Sequence, residues 1–355
     1  MVNAHIEAIG CAVPTHDIHA AFIAWATDRL ADPRERALFA RMASRSGIAH
    51  RWSVLPPTAA GGSPVADGGF YAVDPLPGTA ARMALYARHA PPLALAAVAD
   101  LARQVDCDAI SHLVVASCTG FIAPGLDQVI AAALGLGGSV ERTLIGFMGC
   151  YAAVAALRTA RHIVRSDPQA RVLVVTVELS TLHLQPDDQT EPLLAMLQFG
   201  DGAAAALVTA EPRGFAIQRP FAATLPDSAP LIRWAIGDTG FAMHLSGEVP
   251  GRIGQALADA GLRHTLLPAD LPAPDAWAVH AGGRSILDAV ASALALDPSA
   301  LAASRGVLDR FGNMSSATLM FVLADLLAQP DARHGLALAF GPGLAAEGFR
   351  FERAG

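Results

Sequence analysis

Three residues able to carry covalent acyl chemistry stand next to glycine at the edge of apolar segments: Gly149-Cys150, His280 ahead of Gly282-Gly283, and Gly312-Asn313. Cys150 follows the apolar run Leu144, Ile145, Phe147 and precedes an Ala-rich stretch with apolar residues at three- and four-residue spacing (Val154, Leu157, Ile163). That spacing predicts a helix whose N-terminus falls at Cys150. Free amide N–H groups and the positive end of the helix dipole favour an anion there, and the thiolate is the nucleophilic form of cysteine. A histidine beside the sulfur would hold it as the thiolate of an imidazolium–thiolate pair. His280 and the Asn313 amide would donate where negative charge develops, on an enolate or a thioester oxyanion. No carboxylate base is needed if the carbanion forms by loss of CO2. Taken singly, each residue has a plainer reading: Cys150 as core packing, His280 as a satisfied core histidine, Asn313 as a helix N-cap. Taken together, beside glycines that let a substrate approach the backbone, they read as one catalytic set.

A partial internal duplication would bring the three together. HLVVASC, ending at Cys118, is followed by a loop and a helix; AWAVH, ending at His280, is followed by a glycine pair and a helix. Gly149-Cys150 and Gly312-Asn313 then each open a small-residue helix, and each helix precedes another apolar strand, RVLVVTVEL or GLALAFG. The separations agree, 150 − 118 = 32 and 313 − 280 = 33. Two similar βαβ lobes about a pseudo-two-fold axis would place equivalent loops at one central site. Residues 1–212 form the half with the cysteine, and residues 213–355 the half with the histidine and asparagine.

The remaining pattern is strand, loop and helix in alternation, with near-continuous apolar strands, which implies a doubly wound α/β architecture. Residues 4–12 read as the first strand, 18–42 as helix broken near Asp32-Pro33, and 53–78 as a Pro- and Gly-rich loop. Helices are expected over Thr79–His89 and Leu93–Arg103, divided by Pro91-Pro92, which are poor helix-interior residues. Arg41, Arg45 and Arg51 cluster in a short span, as a solvated face or a phosphate site.

Composition bounds the rest. The 355 residues are 53% hydrophobic and 16% charged, with a net charge of −7, so nucleic acid is not an expected partner. All 25 basic residues are arginine, which excludes Schiff-base lysine chemistry and a P-loop lysine. Cys11, Cys107, Cys118 and Cys150 form no paired spacing, so reduced thiols in a cytoplasmic protein are expected, with no metal site. The first residues show no signal peptide, and no apolar stretch is long enough to span a membrane.

Over essentially its whole length the chain resembles the type III polyketide synthases of the thiolase superfamily, the group that includes chalcone synthase. GCYAAVAALRTAR is similar to the family's nucleophile segment, WAVHAGGRSIL to its histidine segment, FGNMSSAT to its asparagine segment, and AFGPGLAAE to its C-terminal signature (Phe340, Gly341, Pro342, Gly343). The resemblance implies a thiolase-like duplicated αβαβα layered fold and a homodimer. It implies an acyltransferase that loads an acyl-CoA starter on Cys150 and extends it with malonyl-CoA by decarboxylative Claisen condensation. Cyclisation to a pyrone, resorcinol or phloroglucinol-type product would follow. Coenzyme A thioesters would be substrates, and no cofactor is expected. Phe199 matches the gatekeeper phenylalanine, Gly282 and Ser315 fall among cavity residues, and Arg41, Arg45 and Arg51 fall where the family meets CoA phosphates.

Departures from the plant members bear on the cavity. Met243 stands where they keep a second gatekeeper phenylalanine, His183 and Trp234 where they have threonine and glycine, and Cys118 where they have threonine. Ala123 replaces a methionine that reaches across the plant dimer. The bulkier residues imply a smaller or redirected cavity, and ELSTLHLQPDD resembles bacterial members. The nearest alternative is a priming β-ketoacyl-carrier-protein synthase with the same triad; His280-Ala281-Gly282-Gly283 and Pro342 argue against it. A cysteine hydrolase would use the same residue types without forming a C–C bond.

Overall fold

The protein is described by a computed structural model covering residues 2–355. The strands in chain order are β1 (His5–Ala12), β2 (His16–Asp17), β3 (Trp52–Ser53), β4 (His112–Ser117), β5 (Glu141–Gly146) and β6 (Val172–Leu179). They continue with β7 (Asp201–Thr209), β8 (Phe215–Thr224), β9 (Ile232–Gly237), β10 (Gly240–Leu245), β11 (Ala276–Val279), β12 (His334–Gly341) and β13 (Ala345–Arg353). Nine form one sheet in the order β11-β12-β13-β8-β1-β7-β6-β4-β5.

That order reads symmetrically outward from the β1–β8 junction. Toward one side the pairings run β1–β7 and β7–β6 antiparallel, then β6–β4 parallel; toward the other, β8–β13 and β13–β12 antiparallel, then β12–β11 parallel. The duplication is therefore present in strand order and strand sense. The parallel edge strand β5 has no counterpart in the second half, where the Ala302–Phe311 helix occupies that stretch of chain. The sheet is mixed, not the all-parallel arrangement of a doubly wound fold, because β1, β7, β8 and β13 return antiparallel.

Two residue pairs alone, His5 with Ala216 and Ile6 with Phe215, join β1 to β8. Alternation along the strands then builds the layers. Val114 and Ala116 of β4 and Ala337 and Ala339 of β12 share one core with the helices Ala152–Ser166 and Ser316–Leu327. Leu113 and Val115 face a second core with the Thr79–Ala102 helix, and Leu336 and Leu338 a third with the Val249–Ala258 and Arg284–Ala293 helices. Helix, half-sheet, central helices, half-sheet and helix make the αβαβα stack.

The expected break at Pro91-Pro92 does not occur: Thr79–Ala102 is one helix of 24 residues. Tyr86, Ala90, Leu93, Ala94, Ala97, Val98 and Leu101 form one buried stripe through the prolines. Burial of that stripe outweighs the two missing N–H donors, and proline's fixed φ is itself helical. The breaks near Pro33 and the loop over 53–78 match expectation. The β9–β10 hairpin, the Ala302–Phe311 helix and β13 were not anticipated.

Candidate active site

Cys150 lies in a one-turn 3-10 segment, Gly149–Tyr151, at the entrance of the Ala152–Ser166 helix; Asn313 lies just before the Ser316–Leu327 helix; His280 directly follows β11. The glycines ahead of the cysteine and the asparagine do the same work in both halves. Gly149 has φ +77, and a Cβ there would sit 2.3 Å from Pro342 Cδ. Gly312 has φ +68, and a Cβ there would sit 2.8 Å from the Gln198 carbonyl oxygen. Left-handed backbone without a side chain lets each loop press against the opposite half.

The three side chains line one cavity of about 40 Å³. Asn313 and Ser315 border both other members: their polar groups favour the charged forms of the Cys150 sulfur and of the His280 imidazole. His280 Nε2 lies 3.1 Å from the Ser315 carbonyl oxygen, Asn313 Nδ2 donates to the Gly282 carbonyl at 3.3 Å, and the Ser315 N–H donates to Asn313 Oδ1 at 2.8 Å. Ser315 adopts φ +48, a costly conformation for serine that turns its carbonyl to the imidazole.

Burial dominates the electrostatics. Cys150 is 8% exposed and its thiol is pushed up to about 12, chiefly by desolvation; Ser315 and Asn313 pull the other way. Desolvation pushes His280 down to about 4, again opposed by Ser315 and Asn313. Each charge is thus disfavoured when it arises alone. Moving one proton from the sulfur to the imidazole would create both charges within one small cavity, where each offsets the other's desolvation.

Beneath the site lies a carboxylate that the sequence reading missed. Glu178, at the end of β6, accepts from the Cys118 N–H at 2.9 Å, from the Thr119 hydroxyl at 2.8 Å and from the Ser316 hydroxyl. Burial pushes it up to about 7 against those donors. A glutamate in the otherwise apolar strand VLVVTVEL was the available signal. The Cys118 sulfur in turn accepts from the Gly149 N–H at 2.9 Å, so Glu178 and Cys118 together brace the nucleophile's loop.

Phe199, Met243, Cys118, Trp234, Gly282, Ser315, Phe340, Gly341 and Pro342 all line the triad cavity. Gly343 does not; at φ +74 it serves the turn between β12 and β13, and the space around its Cα is open. His183 lines instead a second pocket of about 350 Å³, which shares Ser180, Phe199, Trp234 and Met243 with the first. Its Nε2 donates to the Thr119 carbonyl (2.7 Å), its Nδ1 accepts from the Phe241 N–H (3.0 Å), and burial pushes it down to about 4, so it is neutral. It stacks on Phe241 with ring centroids 4.2 Å apart and meets Trp234 edge-on at 5.5 Å. Trp234 Nε1 donates to the Cys118 carbonyl at 3.0 Å, fixing this aromatic wall between the two spaces.

A surface basin of about 990 Å³ adjoins the triad cavity through Leu245, Gly282 and Ile286. Arg41 and Arg45 line it, as does Arg284, an arginine the sequence reading passed over. Arg51 does not reach the basin. It is 2% exposed, its Cζ lies 4.6 Å from the Phe22 ring centroid, and its guanidinium bonds His19 and two backbone carbonyls, so a surface phosphate has no access to it. The sequence shows arginine spacing but not that Arg51 turns inward. All four cysteines are free thiols. Among the described residues no cluster of His, Cys, Asp and Glu could hold a metal ion, and no helix is long and apolar enough to cross a membrane.

The family models for the N-terminal and C-terminal domains of chalcone and stilbene synthases match residues 2–212 and 216–353. Pks18 of Mycobacterium tuberculosis, described as an α-pyrone synthesis polyketide synthase-like protein, is 34% identical over 92% of this chain and 86% of its own length. Type III polyketide synthase C of Arabidopsis thaliana is 32% identical over 68% of this chain and 66% of its own. Among solved structures, PKS-I of the brown alga Ectocarpus siliculosus superposes with a TM-score of 0.85 at 31% identity, covering 99% of both chains. The type III domain of Steely1 from Dictyostelium gives 0.89 at 26% identity over 99% of this chain and all of that one. The chain belongs to the chalcone and stilbene synthase family. It is a type III polyketide synthase, an acyltransferase of decarboxylative C–C bond formation, and the priming carrier-protein synthase is not favoured.

Proposed function

We propose that Cys150 takes an acyl group from a CoA starter and that His280 and Asn313 direct its extension by malonyl-CoA. The observation that carries this reading is that Cys150, His280 and Asn313 line one cavity, which adjoins an arginine-lined basin. In the first step the sulfur attacks the starter thioester carbonyl, and CoA leaves as a thiol with the proton held by His280. Malonyl-CoA then loses CO2. The electron pair of the broken C–C bond becomes an enolate, whose oxygen is held by N–H donors of His280 and Asn313. The enolate carbon attacks the Cys150 thioester, forming the new C–C bond and freeing the sulfur; the lengthened chain, now a CoA thioester, returns to Cys150 with loss of CoA as a thiol before another round.

The half spanning 1–212 thus supplies the nucleophile, and the half spanning 213–355 the oxyanion donors. Arg41 and Arg45, with Arg284, suit the CoA phosphates. The second pocket, behind Phe199, Met243 and Trp234, suits the growing or starter acyl chain. Among pyrone, resorcinol and phloroglucinol closures, the pyrone has particular support. An enol oxygen attacking the thioester needs no carbon chain templated within the narrow triad cavity, and a 34% identical relative is named for α-pyrone synthesis. A cytoplasmic homodimer is the expected assembly. Edge strand β5, whose outer side pairs with no strand among the described residues, carries exposed Leu144 (45%) beside exposed Phe121 (43%), the kind of surface a second copy covers. Light scattering on the purified protein tests it.

The function itself is tested by incubating the enzyme with a panel of acyl-CoA starters and isotope-labelled malonyl-CoA. Labelled, cyclised products extended by two-carbon units support it; free acids alone would identify a hydrolase.

A further inference from the structure

The segment that presents Asn313 is gripped by the other half of the chain. The Asn313 N–H donates to the Gln198 carbonyl at 2.8 Å, and its carbonyl accepts from the Gly200 N–H at 3.0 Å, so Phe199 and Asn313 form an isolated parallel bridge. Both backbone hydrogen bonds of the asparagine thus go to residues 198–200. That short segment is held in turn by Arg51, whose Nη1 donates to the Phe199 carbonyl at 2.7 Å and the Met196 carbonyl at 3.1 Å.

Arg51 is itself held through Nε, Nη1 and its backbone, while Nη2, beside the second pocket, is buried without a hydrogen-bond partner. Its Nε donates to His19 Nδ1 at 2.9 Å, and its guanidinium lies over the Phe22 ring. Its N–H donates to Asp17 Oδ1 at 3.2 Å, and its carbonyl accepts from the Ile18 N–H at 2.8 Å. Its stem also packs on the asparagine's own loop, since a Cβ at Gly312 would lie 2.9 Å from Arg51 Cγ. A planar fork with several fixed N–H groups can hold separate acceptors in one geometry, which a lysine ammonium on a flexible stem does not reproduce.

We propose that Arg51 is a positioning residue for Phe199 and Asn313, setting the gatekeeper ring of its own half together with the oxyanion donor of the opposite half. The inference rests on the role given to Asn313 above. Displacing a catalytic group by about 1 Å costs on the order of 100-fold in rate. Losing the fork therefore acts on the step that uses Asn313 and leaves thioester binding in the basin untouched.

The test uses Arg51→Lys and Arg51→Met in the full-length enzyme. Three quantities are read: kcat and KM for malonyl-CoA decarboxylation, and the stoichiometry of Cys150 alkylation by iodoacetamide. The expected result is a kcat about 10- to 100-fold lower, with KM and alkylation stoichiometry unchanged. Adding Asn313→Ala to either variant should cost no more than Asn313→Ala alone. A parental kcat in Arg51→Lys overturns the proposal, as do strictly additive losses. A raised KM with intact kcat overturns it by returning Arg51 to CoA binding. Equal falls in alkylation and decarboxylation overturn it by reducing the residue to general stability. If Arg51→Met does not fold, Arg51→Lys alone decides. A parent enzyme that forms extended product without depending on Asn313 would instead sink the reading of that residue, which these variants then do not share.

Discussion

Asn313 and Cys150 come together at the wall of one cavity although the two residues belong to opposite halves of the molecule, and the Asn313 side chain favours the thiolate. The meeting follows from the duplication: each half ends a glycine turn at the same depth, and the central helices Ala152–Ser166 and Ser316–Leu327 start side by side there. One half supplies a nucleophile at that point and the other supplies an amide.

Removing either oxyanion donor should therefore strike the carbanion step. Asn313→Ala and His280→Ala are expected to lower malonyl-CoA decarboxylation by about 100- to 1,000-fold, measured as CO2 or acetyl-CoA release. A parental rate in either variant contradicts its assigned role.

The pH dependence of alkylation reports how the sulfur is ionised. In His280→Ala, burial acts on Cys150 without a partner, so its thiol should stay above the ordinary range, in the direction of the value near 12 that burial sets. Iodoacetamide reactivity in that variant should rise only above pH 9. In the parent, a proton passed to His280 keeps the sulfur reactive at neutral pH. Identical profiles for the two proteins would show that the pair does not form.

Glu178 leaves a mark on stability. Its folded carboxyl is raised from 4.5 to about 7, so between those values the folded protein binds the proton more tightly than the unfolded chain. The associated stabilisation is complete below pH 4.5 and is lost as pH rises through 7, a change of about 3 kcal/mol. Denaturant unfolding at pH 5 and pH 8 should show this loss in the stability difference between the parent and Glu178→Gln, because the gain with rising pH from His183 and His280, both held near 4, is common to the two proteins.

Trp234 is the wall between the triad cavity and the second pocket. Trp234→Gly should merge them and shift products toward longer chains or more extensions, read by mass spectrometry. It should also cost about 3–5 kcal/mol of stability, as large-to-small changes at packed aromatic sites do.

Arg41 and Arg45 line the basin with Arg284. Arg41→Ala and Arg45→Ala should each raise KM for CoA thioesters several-fold, roughly the 1–2 kcal/mol of a charge-assisted contact, with kcat unchanged. Kinetics with malonyl-CoA and with a short N-acetylcysteamine thioester separate this from a general defect, since the truncated substrate should not respond.

The sequence carried what local pattern and spacing encode. The matching separations, Cys118 to Cys150 and His280 to Asn313, foretold the symmetric strand order, and the glycines before Cys150 and Asn313 marked the turns that meet. Long-range direction was not legible. Arg51 shares a short arginine-rich span with Arg41 and Arg45 yet turns inward beneath Phe199, because Asp17 and residues 196–199, distant in sequence, hold it there. The helix through Pro91-Pro92 was misread because its stabilisation comes from packing against the sheet, which outweighs local propensity. Glu178 went unnoticed because its three donors lie on two segments far from it in sequence, Cys118-Thr119 and Ser316.

The central claim is that the growing chain rides on Cys150. Mass spectrometry of peptides from enzyme quenched during turnover tests it most directly. The account predicts an acyl increment on the peptide containing Cys150, lengthened when labelled malonyl-CoA is present and absent from Cys150→Ala, which forms no extended product. An acyl group on another residue, or labelled product formed by Cys150→Ala, would contradict it.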